Sequence, residues 1–267
     1  MATKKSAILL MLLLGTTGFA QSAGGSEQPD SNATLSIGPG VVVLVKPYEG
    51  VHPTVYPYPP TVFIYDRFYF AIDTAGYRLL ANQRGTPEPG QTYWYLDAIA
   101  KWRSDGYDAD DSDELAGMHD RRQTIDVGGE FSVFGEWGAL KAGFLTDALG
   151  QHDGQEFRVT YAKPFDKAFD VNNLRISPSI GLAWLSSNLA DYYYGVRPDE
   201  VRAGRPAYDP GAAVNWFVGL DTNYRLNDDW TLLASITYYW LDSDIRHSPI
   251  VDDGYAISIL AGAMYRF

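Results

Sequence analysis

Four histidines, His52, His119, His152 and His247, are the side chains of this 267-residue sequence whose ordinary pKa suits proton transfer near neutrality. Three of them stand beside Asp120, Asp153 and Ser248, neighbours that a hydrolytic site could use. A triad needs its base held rigidly within hydrogen-bond reach of a nucleophile, however, and all four histidines fall in segments that read as loops. No G-x-S-x-G elbow occurs, so these histidines read as solvated and no catalytic residue is assigned. They form no i,i+4 or alternate-residue pair, and cysteine is absent, so no metal or other cofactor site is assigned, and disulfides and a lipoprotein anchor are excluded. The acidic run Asp105, Asp108, Asp110, Asp111, Asp113 and Glu114 lacks the spaced frame of a calcium loop and reads as a solvated charge run within residues 104–120. Its functional alternative is divalent bridging to lipopolysaccharide. A net charge of −12 argues against a nucleic-acid partner, because phosphate binding needs a basic surface.

The remaining charges are organised by period two. Asp97, Lys101, Asp126, Glu130, Lys141, Arg158, Arg175, Asp221 and Arg225 alternate with apolar residues along successive short segments. In residues 93–103 one face carries Trp94, Leu96, Ala98, Ala100 and Trp102, while the other carries Asp97 and Lys101. Strands with an apolar and a mixed-charge face suit a transmembrane barrel, whose outside meets lipid and whose interior is polar. The nine charged residues are therefore candidates for the lumen.

The segment Trp230–Trp240 decides between a barrel and a soluble sheet. Its even positions are Trp230, Leu232, Ala234, Ile236, Tyr238 and Trp240. Ten steps of about 3.3 Å at a tilt near 40° rise roughly 25 Å, the height of an apolar band with aromatic girdles at both edges. Trp94, Trp102, Trp184 and Trp216 join Trp230 and Trp240 as girdle candidates. Lys4 and Lys5, the apolar run 7–14 and the small residues up to Ala20 read as a secretory signal peptide over 1–20, followed by a flexible periplasmic lead-in over 21–33 and a barrel over 34–267. Short connections at 136–138 and 227–229 alternate with long ones at 104–122, 148–155, 189–213 and 242–254, the exception being 164–173, of middling length on the short side. The fold read from this is an all-β, transmembrane, antiparallel up-and-down barrel of about twelve strands, or ten if residues 68–82 form one irregular hairpin or lie outside the wall. An even count puts both termini in the periplasm of a Gram-negative bacterium. The chain closes on Phe267, which reads as an assembly signal on a strand that pairs with the first.

The segment 191–226, with YYGV and AYDPG, followed by SPIV at 248–251 and a closing AGAMYRF at 261–267, resembles the MipA/OmpV family of outer-membrane proteins. GPG at 38–40, PYEG at 47–50 and YPYPP at 56–60 are similar to that family's opening strands. The resemblance implies a family named for interaction with the lytic transglycosylase MltA and proposed to scaffold murein-synthesising and murein-cleaving enzymes. It carries no catalytic residues. Its matching loop positions are Tyr194, Gly195, Tyr208, Asp209, Pro210, Ser248 and Pro249, and Pro-set φ angles and Gly or Asp turns make loop geometry their expected role. The expected function is a non-catalytic, monomeric outer-membrane barrel, bounded by outer-membrane lipid, that binds a lytic transglycosylase and a murein synthase. The alternative is a narrow, porin-like diffusion channel.

Overall fold

The computed structural model of the protein describes residues 33–82 and 90–267. The signal peptide read over 1–20 and all of the 21–33 lead-in but Ala33 lie outside the described residues.

The first third of the wall is built from short pieces: β1 (Thr34–Ile37), β2 (Gly40–Val45), β3 (Thr54–Pro57), β4 (Thr61–Tyr65), β5 (Phe68–Ala71) and β6 (Thr74–Ala81). Longer strands follow: β7 (Tyr93–Arg103), β8 (Thr124–Gly135), β9 (Gly138–Asp147), β10 (Gln155–Ala162), the two-residue β11 (Phe165–Asp166), β12 (Leu174–Leu185), β13 (Ala213–Arg225), β14 (Trp230–Trp240) and β15 (Tyr255–Arg266). Proline and glycine break the first two wall strands in half. β1 and β2 flank Gly38-Pro39, and β3 and β4 flank Tyr58-Pro59-Pro60, so each pair forms one interrupted strand. β11 merely hangs on the edge of β12, leaving twelve antiparallel wall strands. β15 pairs with both β1 and β2, which closes the barrel and leaves no free edge at the seam. Phe267 donates its N–H to Leu35 O at 2.9 Å and stays exposed.

Both ends of the described wall meet on one face, here the terminal face, with the turns 66–67, 136–137 and 226–229 and the connection 163–173. The opposite loop face carries 46–53, 104–123, 148–154, 186–212 and 241–254, together with α1 (Ser187–Tyr194) and the one-turn α2 (Ser243–Arg246). Ser186 caps α1 by accepting the Leu189 N–H. Three buried apolar clusters divide the packing. One lies inside the wall around Val42, Leu44, Val62, Leu233, Leu260 and Met264. A second packs α1 against Phe217 and Tyr239, and a third packs the loops around Tyr48, Tyr107, Leu115 and Ile250.

Candidate functional site

Alternation sends one side-chain set of every long strand inward. Register does the rest: Asp97 lies across from Glu130, Lys101 from Asp126 and Ser132 from Lys141. Within the wall these charges pair: Lys141 Nζ lies 3.3 Å from Glu130 and Arg78 Nε 3.2 Å from Asp97. Lys101 turns instead to the other neighbouring strand, where Asp73, just before β6, lies 3.9 Å away. Tyr69 donates its hydroxyl to Asp97 at 3.1 Å, and Gly76 makes room for that ring, since a Cβ there would stand 2.1 Å from Tyr69 Cζ. Asp221 is buried and accepts from Ser235 at 2.6 Å.

The densest part lies just under the loop face. Arg103 ion-pairs with Asp126 at 2.6 Å, Glu156 at 2.7 Å and Asp105 at 2.9 Å, and Glu156 also holds Arg158 at 2.7 Å. Arg103 and Glu156 stand outside the nine lumen candidates. Their signal was available, because Arg103 shares a strand face with Lys101 and Glu156 one with Arg158. Arg175 and Arg225 sit apart, at the terminal mouth. Arg175 binds Asp166 of β11 at 2.5 Å, whereas Arg225, the last residue of β13, is exposed to solvent rather than held in the packed interior. Being at a strand end, it has the right face and the wrong depth.

The reading of the histidines as solvated fails at His152, which is 5% exposed. Its Nδ1 accepts the Gly154 N–H at 3.0 Å, so Nε2 carries the proton and donates to Asp126 Oδ1 at 3.1 Å. Asp126, Asp147 and His152 thus place their ligand-type atoms within 4.8 Å of one another. The chemistry of the set is already spent internally: Asp126 neutralises Arg103, and Asp147 accepts from Thr124 Oγ1 and from the backbone N–H groups of Leu149, His152 and Asp153. The trio ties the 148–154 loop to the wall. His119 stays exposed, 2.8 Å from Asp199, and His52 and His247 are exposed.

The acidic loop 104–123 keeps Asp110, Asp111 and Asp113 exposed, as a solvated run does, but it also roofs the barrel. Asp111 accepts the Asp108 N–H and pairs with Lys46 at 3.7 Å, Asp120 accepts the Ala109 N–H, and Ser112 donates to Glu49 O across to the 46–53 loop. Burial lowers the Lys46 pKa, opposed by the neighbouring charge of Asp111. Arg202 and Arg205 donate from the 196–212 loop to the carbonyls of Asp113, Glu114 and Ala116. At the centre, Arg121 and Glu200 form a bidentate pair, both bonds 2.8 Å, with side chains 1% and 0% exposed. Burial alone would raise the Glu200 pKa. The Arg121 guanidinium and the N–H groups of Arg197 and His119 outweigh it and hold the carboxyl below its ordinary range.

The family-type loop positions sit inside this roof. Tyr194 stacks on Tyr48 with centroids 5.8 Å apart, and Ser248 donates to Tyr194 O at 2.6 Å. Gly195 returns its N–H to Asp191 O at 2.8 Å, and a Cβ there would strike that residue. Tyr208 bridges to Val196 and donates its hydroxyl to Asp244 O, while Asp209 accepts from Gly211 in a turn that includes the buried Pro210. Pro249 is half-buried beside Ile250. These contacts join three loops. All six girdle candidates point outward: Trp102, Trp184, Trp216 and Trp240 near the loop face, Trp94 and Trp230 near the terminal face. The seventh tryptophan, Trp137, stacks on Tyr161 at the terminal rim.

On the terminal face one connection projects. Within 163–173, Lys167, Phe169 and Asp170 all hold left-handed φ (54°, 54° and 61°), and Phe169 is 86% exposed. Non-glycine residues in that region cost of order 1–3 kcal/mol each and persist only where the surrounding structure fixes them. An apolar ring displayed on such a backbone is a candidate contact point.

The sequence profile of the family described as "MltA-interacting protein MipA" matches residues 37–267. The chain is 28% identical over 262 residues to the MltA-interacting protein of Escherichia coli (strain K12), covering 97% of this chain and 99% of that one. It is 28% identical over 252 residues to the putative outer membrane protein YiaT of the same strain, covering 93% and 94%. It is 31% identical over 161 residues to outer membrane protein OmpV of Vibrio cholerae serotype O1, covering 60% and 61%.

Proposed function

The chain belongs to the family of the MltA-interacting protein MipA, and we propose on that premise that it is a non-catalytic scaffold whose terminal face meets the periplasm and docks murein-cleaving and murein-synthesising enzymes. The barrel is an outer-membrane protein. Its name-giving relative is called after a partner, and a lytic transglycosylase acts on the periplasmic side of that membrane, so the partner surface belongs on the terminal face, with Phe169 at its centre. The loop-face positions of the family then serve the roof.

The observation that carries the scaffold over the channel is the roof itself. Two loops are fastened by the buried Arg121–Glu200 pair and by guanidinium-to-carbonyl bonds from Arg202 and Arg205, and directly beneath them Arg103 of β7 reaches Asp126 on β8 and Glu156 on β10, which also holds Arg158 two residues along its own strand. A conduit would have to break buried ion pairs, each of which costs several kcal/mol when one partner is lost. Planar-bilayer recording together with capture of a purified lytic transglycosylase tests the reading. Capture without stable unitary currents is the expected result; salt-dependent unitary conductance without capture would establish the diffusion channel instead.

A further inference from the structure

The wall is incomplete between β3 and β7. β5 has four residues, roughly 13 Å, where a spanning strand needs about 9–11. The β5–β6 hairpin turns at Ile72 and Asp73, and above that turn no strand among the described residues pairs with the free edge of β3. Hydrogen bonds fix which groups face the gap. Tyr58 donates to Gly40 O, so residues 54, 56 and 58 bond towards β2; Ile72 donates to Thr61 O, so the odd positions 55, 57, 59 and 61 face the other way. Two of those odd residues are Pro57 and Pro59, with Pro53 just before the strand, and Val55 keeps the one N–H of β3 on that edge. Thr61 Oγ1 donates to the Pro59 carbonyl. The floor is strained: Ile72, a β-branched residue, sits at φ 60°, locked by the Tyr58 hydroxyl on its carbonyl at 2.6 Å.

We propose that this notch is a lateral binding site for an acyl chain of an outer-membrane lipid. Three observations select that occupant. Val55 and Trp102 flank the gap on the outer surface and are exposed, so the notch is continuous with the lipid-facing wall. An apolar cluster of Tyr56, Tyr58, Val62, Ala71 and Ile72 lies behind it, and the one buried charge at its floor, Asp73, is turned to Thr74 and Lys101. Proline has removed the N–H groups that a partner strand would need, which disfavours strand addition by a protein, and the same loss lowers the cost of laying this edge against hydrocarbon.

Tyr56→benzoylphenylalanine places a photoreactive group on the inward side of the edge strand. Val55→benzoylphenylalanine, outward, is the positive control, and Tyr239→benzoylphenylalanine, inward on the distant β14, is the negative one. Each full-length protein, checked for heat-modifiable gel mobility, is reconstituted into phosphatidylethanolamine–phosphatidylglycerol vesicles, irradiated and weighed by mass spectrometry. If the Tyr56 variant does not fold, Thr54→benzoylphenylalanine gives the same readout. The expected result is a mass shift of one phospholipid at 55 and at 56 or 54, with none at 239. A lipid adduct at 55 alone overturns the proposal, as does an adduct at 56 or 54 to a second protein chain.

Discussion

Glu200→Ala unfastens the roof at its most buried point. The substitution leaves the Arg121 guanidinium, 1% exposed, with only the carbonyls of Tyr192 and His119, and strands the Arg197 and His119 N–H groups that the carboxylate had accepted. Removing one partner of a buried ion pair costs about 3–5 kcal/mol. At about 1.4 kcal/mol per decade, the population with the roof open rises by roughly two to three and a half decades. Trypsin reads that population at the Arg202–Ala203 bond, because Arg197 and Arg205 each precede proline. In the closed roof Arg202 is held by reciprocal backbone bonds with Arg205 and by carbonyls of the acidic loop, so cleavage requires release. When reclosing outpaces cutting, the cleavage rate follows the open population. Limited digestion of detergent-solubilised protein should therefore cut at 202 roughly two to three and a half orders of magnitude faster in Glu200→Ala, with Glu200→Gln between the two and the barrel core surviving in all three. An unchanged rate would refute the view that this pair fastens the roof.

The same group sets a pH dependence: its folded pKa is depressed, so its stabilisation is present above the unfolded value and is lost as pH falls through the folded one. Pepsin digestion should accordingly find the roof opening only below the ordinary glutamate range, and no such acid-linked step in Glu200→Gln. Phe169→Ala should change stability by less than about 0.5 kcal/mol, because the ring is exposed, yet weaken transglycosylase capture by about tenfold or more, as a central apolar contact would. Surface plasmon resonance against the immobilised barrel measures this. Deleting Phe267 removes the last bond to Leu35 and should lower outer-membrane levels without changing roof protection of whatever protein does insert; normal levels on a membrane-fraction blot would rule out its role as an assembly signal.

The barrel was legible in the sequence because its determinants are local. Alternation of period two, tryptophans at both ends of Trp230–Trp240 and alternating connection lengths need no partner to be read, and they gave the strand class, the outward tryptophans and a count of about twelve. Membership of the family was equally legible in YYGV, AYDPG and SPIV. What the chain could not show alone are relations across long sequence separations. His152 and the acidic loop look solvated in one dimension, since a polar loop carries no mark of what it packs on. Asp126 lies 26 positions from His152 and Glu200 79 from Arg121, and only closure of the sheet and folding of the loops bring them within hydrogen-bond reach. Arg225 shows the converse, as alternation gives a residue its face but not its depth. The prolines at 53, 57 and 59 were visible as breaks, but that they line one unpaired edge follows from pairing, which is a property of the neighbouring strands rather than of the segment itself.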